Sequence, residues 1–171
     1  MASSLGSSEE DLRRALWAMP TGLYVLSMRG EGRDHLMTIS LAVQVAKEPR
    51  VLACAVEEGA HALGFLGPGA AAGLALLAPA ARALARRFAK PPEVDEATMT
   101  AAGVPVVRDT ETGLLVPRES LGMLRLRVAS REHLGSHWLV LARVEGLLAL
   151  VPPVEWGPLL AIQDTRMRYG G

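Results

Sequence analysis

The chain has 171 residues, with 18 Lys and Arg against 18 Asp and Glu and a single cysteine, Cys54. Zero net charge provides no long-range field toward nucleic acid or an anionic membrane, and one thiol excludes both an intrachain disulfide framework and a Cys-rich metal site. Half the residues are hydrophobic but only seven are aromatic, so the length predicts one domain over residues 1–171, cytoplasmic, with a core mostly of Ala, Val and Leu.

Residues 1–8 read as a flexible lead-in, polar and acidic before apolar, the reverse of a signal peptide. Ser8 followed by Asp11 resembles a capping box, and Leu12, Ala15, Leu16 and Met19 then fall on one helical face until Pro20 stops the helix. The run LYVLSM, the turn RGEGRD and a second extended run over residues 36–45 predict a hairpin. Alternation along the second run puts Met37, Ile39, Leu41, Val43 and Val45 on a core face. Thr38, Ser40, Ala42 and Gln44 share the other face.

After a turn at KEPR comes the strand VLACAV, then a short helix in EEGAHALGFL. A Gly-Pro-Gly turn, the strand AAGLALL and the helix PAARALARRFA follow, with Pro79 in the helix's first turn. Residues 62–81 carry no charge, but their glycines and prolines forbid a single spanning helix. Residues 95–102 read as a helical turn closed by Gly103, and residues 104–119 as irregular or a short hairpin. Two strong strands, MLRLRVAS and HWLVLARVEGLLAL, flank a turn near Leu134 and Gly135, and the tail holds one more candidate strand. This inventory favours a mainly antiparallel barrel of about six strands with short helices.

The uncharged Thr38 and Ser40 face is either an ordinary solvent-facing strand or a surface that a flat ligand covers. His137 is either a turn residue or a donor aimed at an anionic or carbonyl-bearing ligand. His133 and His137 are four apart, yet Gly135 and the strand pattern argue against a helical metal pair, and no further ligands support one. Arg82, Arg86 and Arg87 form either a solvated basic face or a phosphate clamp, which His61 could assist. Cys54, mid-strand between alanines, reads as a buried, inert thiol. GFLGPGAAAG lacks the features of a phosphate-binding loop, and no G-x-S-x-G elbow occurs.

In order, RRALWAMPTGLYVLS, HLMTISLAVQVAKEPRVLACAV, LARRFA and GSHWLVLARVEG resemble the flavin reductase family, over about residues 10–150. The resemblance implies a six-stranded antiparallel FMN-binding split barrel that forms a homodimer, with FMN, or FAD, in a groove at the subunit interface. It places Met37, Thr38, Ile39 and Ser40 against the flavin, continued by Ala55, Val56 and Glu57, with Ala60 and His61 near the phosphate. Phe88 and one of Arg86 or Arg87 match the helix end that approaches the cofactor, and His137 matches a histidine on the nicotinamide side.

The implied activity is transfer of hydride from NADH or NADPH to flavin, with reduced flavin passed to a monooxygenase partner. Neither metal, nucleic acid nor membrane is implied. Two departures stand out: Gly59, Ala60, His61 and Ala62 replace a hydroxyl-rich stretch, and Ser136 stands where the family usually has Asp. These, with the altered tail QDTRMRYGG, leave open an electron-transfer flavoprotein without nicotinamide activity, or a cofactor-free dimeric module.

Overall fold

The computed structural model describes residues 8–165. Helix α1 spans Glu9–Trp17, and the strands are β1 Tyr24–Gly30, β2 Arg33–Ile39, β3 Ala42–Lys47, β4 Arg50–Glu57, β5 Ala71–Leu76, β6 Val94–Asp95, β7 Thr100–Ala101, β8 Val104–Arg108, β9 Leu115–Pro117, β10 Gly122–His133 and β11 His137–Ala149. Helix α2 covers Arg82–Arg87, and single 3-10 turns occupy His61–Gly64, Pro79–Ala81, Pro153–Glu155 and Ile162–Asp164.

Ser8, expected in the lead-in, is the N-cap of α1: its hydroxyl accepts from Asp11 N–H, and the Asp11 carboxylate accepts from Ser8 N–H at 3.0 Å. Residues 1–7 lie outside the described residues. The expected apolar face of α1 exists but is not covered, since Leu12, Leu16 and Met19 are all exposed. β1 and β2 are joined by Glu31 and Gly32, both with positive φ (51° and 75°). That is the type I′ pattern, whose twist matches the flanking strands.

The main sheet has seven strands in the order β2-β1-β5-β10-β11-β4-β3, every pair antiparallel. A second, four-stranded sheet runs β6-β7-β8-β9. The expected helical turn at residues 95–102 is therefore the β6–β7 hairpin, with Met99 and Ala102 taking left-handed φ. Residues 104–119 hold the short hairpin β8–β9. Among the described residues the tail supplies two 3-10 turns and an isolated bridge from Ala161 to Gly22, and the last part of QDTRMRYGG lies outside them.

The predicted single strand over residues 36–45 is two strands. Its first half, β2, is one edge of the main sheet and its second half, β3, is the other, with only Ser40 and Leu41 between them. Two residues span little more than 10 Å, so the sheet must curl until its edges approach. β2 and β3 nevertheless share no ladder among the described residues. One hydrophobic cluster lies inside the curl, drawing Met28, Ile39, Cys54, Val56, Leu74, Leu126 and Val140 from six of the seven strands. The other face carries a second cluster beneath α2 and the small sheet, including Val25, Leu77, Leu84, Phe88, Val106 and Met123. β1 serves both, sending Val25 one way and Leu26 and Met28 the other.

The break at Ser40 and Leu41 also overturns the predicted core face. Met37 and Ile39 are covered, but Leu41, Val43 and Val45 are exposed, because neither hydrophobic cluster extends over that face of β3. Conversely, Thr38 and Ser40, expected on the polar face, are buried at 4% and 7% exposure.

Two ion pairs fasten the small sheet to the main one. Arg108, at the end of β8, reaches the buried Asp34 of β2 at 2.9 Å. Asp109, the next residue, meets Arg125 of β10 through two hydrogen bonds of 2.8 and 2.9 Å.

Candidate active site

The seam where the sheet edges approach is lined by a cleft. Met37, Thr38, Ile39, Ser40 and Leu41 form one wall, Ala55, Val56 and Glu57 of β4 the other, and His137, opening β11, closes one side; the volume is about 250 Å3. A second cleft of about 220 Å3 adjoins it, sharing Met37, Thr38 and Glu57 and adding His35, Ala60, His61, Ala62, Phe88, Ala89, Lys90 and Pro91. Each alone is smaller than the usual small-molecule site, whereas the two as one trough reach that range.

Most residues that the resemblance implied therefore converge: Met37, Thr38, Ile39, Ser40, Ala55, Val56, Glu57 and His137 in the first cleft, and Ala60, His61 and Phe88 in the second. Arg86 and Arg87 do not join them. They line a different groove, with Arg82 and residues 163–165, because Phe88 turns inward into the core at 0% exposure while the two arginines point to the outer side of α2. The cation that the trough does contain is Lys90, which the sequence reading passed over although it stands two residues beyond Phe88. His35 was also passed over. Its ring stacks on Phe65 at 5.5 Å and meets His61 edge-on at 5.1 Å, and burial, then the neighbouring His61, hold its pKa below the usual imidazole value.

The two hydroxyls expected to act together have different duties. Thr38 Oγ1 donates to Ala85 O at 2.7 Å, and Thr38 N–H donates to Phe88 O at 2.9 Å. The last carbonyls of a helix lack intrahelical donors, so Thr38 supplies two of them and docks the end of α2 on β2. Ser40, by contrast, has no side-chain partner among the described residues, although it is 7% exposed and lines the cleft. Its Oγ is not one of the fully buried orphan hydroxyls, which among the described residues are those of Ser27 and Ser120, so it is open to the cleft and available to a group that enters. Replacing Thr38 with Val keeps the shape and deletes the bond to Ala85; the expected result is a loss of about 1–3 kcal/mol in a urea melt. An unchanged midpoint would show that the bond does not anchor α2.

At the mouth, Ser136 Oγ lies 3.0 Å from His137 Nδ1, a contact that engages one ring nitrogen without adding a charge. His137 is in register with Glu57 across the β4–β11 ladder. His133 does not point with His137 at a common centre: its Nε2 is 3.1 Å from Glu58, which also accepts from Trp138 Nε1. Among the described residues no group of His, Cys, Asp and Glu is placed to hold a metal ion, and no helix is long and apolar enough to cross a membrane. Cys54 is a free, buried thiol whose pKa burial pushes up to about 11, which keeps it protonated and inert.

Comparison with known families gives a match to the flavin reductase like domain over residues 16–168. The chain belongs to that family. No curated protein sequence matches it. Among solved structures, the Streptomyces globisporus C-1027 NADH:FAD oxidoreductase SgcE6 is similar at 21% identity, over 100% of this chain and 95% of that one, with a TM-score of 0.73. The flavin reductase of the Pseudomonas putida S12 styrene monooxygenase is similar at 22% identity, over 81% and 86% of the two chains, with a TM-score of 0.66. BorF, the flavin reductase component of a bacterial two-component tryptophan halogenase, is similar at 22% identity over 83% and 88%, with a TM-score of 0.67. At these identities the likeness is one of fold: a mainly antiparallel β architecture with few helices.

Proposed function

We propose that the protein is a flavin reductase that binds FMN, or FAD, in the seam trough and oxidises NADH or NADPH. The observation that supports this most is the convergence of the residues of β2, β4 and β11 named by the flavin reductase resemblance on one cleft, in a chain of that family. The curled seven-stranded sheet, open at the seam, corresponds in this reading to the split barrel.

The residues present fit a flavin. Met37, Ile39, Ala55 and Val56 offer apolar walls for a ring system, and the unpartnered Ser40 hydroxyl offers one hydrogen bond to its polar edge. The adjoining cleft supplies Lys90 and His61 for a phosphate, against the single carboxylate of Glu57. Phosphate recognition in this chain thus rests on Lys90, His61 and backbone around Ala60 in place of hydroxyl side chains, and Arg86 and Arg87 are not part of it.

The chemistry supplied on binding is acceptance of hydride from reduced nicotinamide and its onward delivery as reduced flavin. This chain contributes placement: the cleft walls set the ring plane, Ser40 fixes its edge, and His137, steadied by Ser136, faces the side from which nicotinamide enters. Leu12, Leu16 and Met19 of α1 and Leu41, Val43 and Val45 at the seam are exposed apolar side chains. They support a homodimer that covers the trough. A monooxygenase that consumes reduced flavin is the partner class in this reading.

Titration of purified protein with FMN and FAD, followed by NADH and NADPH oxidation with each, tests the proposal. Saturable binding and flavin-dependent oxidation are expected; their absence would sink it, and tight flavin without nicotinamide turnover would replace it with an electron-transfer flavoprotein. Ser40→Ala is expected to weaken flavin binding about 3- to 10-fold, the value of one hydrogen bond. Equal affinity would remove Ser40 from the site.

A further inference from the structure

We infer that the groove between α2 and the Ile162–Asp164 turn is a second anion site, for a phosphate-bearing small molecule, separate from the seam trough. The groove measures about 670 Å3 and is lined by Arg82, Ala83, Arg86, Arg87, Gln163, Asp164 and Thr165. It shares no residue with either cleft at the seam.

Three exposed arginines line it, and none has an ion-pair or hydrogen-bond partner among the described residues. Arg29, Arg108, Arg125 and Arg127 are engaged with carboxylates, whereas Arg13, Arg50, Arg118 and Arg143 are unpaired among the described residues but do not line this groove. Arg82 and Arg86 are four apart on a helix of only six residues, an arrangement that repels. Arg82 also opens that helix, where the dipole disfavours a cation. Helix stability therefore accounts for Arg86 and Arg87 near the C-terminal end but not for Arg82.

The opposite wall is fixed by bonds of its own. Asp164 accepts from Ala161 N–H at 2.9 Å, Thr165 Oγ1 donates to Ile162 O at 2.8 Å, and Gln163 Nε2 donates to Met19 O at 3.2 Å. Among the described lining residues Asp164 cancels one of the three positive charges, which leaves an excess of two. A phosphate monoester carries about −1.5 to −2 at pH 7, and a guanidinium matches its oxygens in pairs. The groove is concave and of small-molecule size, which favours a phosphate ester or diphosphate over an acidic protein surface. This inference does not rest on the flavin reading, and substitution of Arg82 and Arg86, which lie outside the trough, separates pyrophosphate held here from any held by Lys90 and His61.

Calorimetric titration of the intact protein with inorganic pyrophosphate is expected to give saturable binding below 1 mM, weakened at least tenfold in R82Q/R86Q. ADP titrated in parallel assigns the source. Equal affinity means that the groove reads a diphosphate alone; tighter ADP means that it serves a nucleotide. Circular dichroism melts establish that R82Q/R86Q is folded, and R82Q alone, at the helix start, is expected to lose affinity without loss of melting temperature. Absence of pyrophosphate binding, or binding unchanged in both variants, would overturn the site. So would displacement of pyrophosphate by a poly-glutamate peptide at lower concentration, which would make the groove a protein-docking surface.

Discussion

Replacing Asp109 with Asn is expected to cost about 3 kcal/mol of stability at neutral pH, the low end of the range for breaking a buried ion pair. Asp109 is 2% exposed, and both its oxygens are used: Arg125 donates through Nε and Nη2, and Thr112 donates through Oγ1 at 2.6 Å. Asparagine retains one acceptor and leaves the guanidinium beside a neutral group. Glu111, 2.8 Å from Arg125 but largely exposed, moderates the loss without replacing it.

The same pair makes stability depend on acid. The Arg125 hydrogen bonds hold the Asp109 carboxyl down at about 2, against an ordinary value of 3.8. A depressed carboxyl contributes stability that is fully present above the unfolded-state pKa and is lost as pH falls through the folded-state value. The wild type is therefore expected to lose about 2 kcal/mol between pH 5 and pH 2 that the Asn variant, already without the charge, does not lose. Urea melts of both proteins at pH 7, 5 and 2 check this. A neutral-pH cost under about 1 kcal/mol, or parallel pH profiles, would show that the pair does not secure the small sheet.

Ala55→Phe is expected to weaken FMN and FAD binding by 100-fold or more, about 2.7 kcal/mol, with little change in melting temperature. Ala55 is half-buried on β4 and lines the first cleft, so a ring added there fills the space proposed for the flavin. Its backbone N–H donates to Leu41 O at 2.8 Å, a bond that the substitution leaves alone, and Phe suits a strand. Flavin quenching titrations on a variant shown by its melt to be folded would decide the matter. Full-affinity binding would place the flavin elsewhere while leaving the family assignment untouched.

Much of the fold was legible because local chemistry repeats along the chain. Ser8 and Asp11 marked the start of α1 by their spacing alone, and the glycines of RGEGRD marked the β1–β2 turn. The run at residues 36–45 misled because an alternating pattern carries no sign of leaving one sheet edge for another: nothing in Ser40 and Leu41 announces a break. Thr38 misled for a related reason. Its hydroxyl is consumed by Ala85, 47 positions away, and only the docking of α2 on β2 reveals that.

At the site, the neighbours Arg86, Arg87 and Phe88 were grouped by sequence, but a helix turns about 100° per residue. Phe88 therefore turns inward while Arg86 and Arg87 stay on the outer side, and Lys90, beyond the helix end, is the cation that reaches the trough. The helical turn expected at residues 95–102 failed because a two-residue strand is too short for any period to show.

The passage of the chain from one sheet edge to the other within two residues bears on the order of assembly. β1–β2, β3–β4 and β10–β11 are hairpins between near neighbours, but β11 must dock on β4 and β10 on β5 across long stretches of sequence. Such distant pairings come at a high loop-closure cost and form late. His137 reaches the seam only through the β4–β11 ladder. A ribosome-bound chain arrested before residue 137 would hold β2 and β4 yet present no finished pocket, so ligand capture reports that synthesis has passed the C-terminal hairpin.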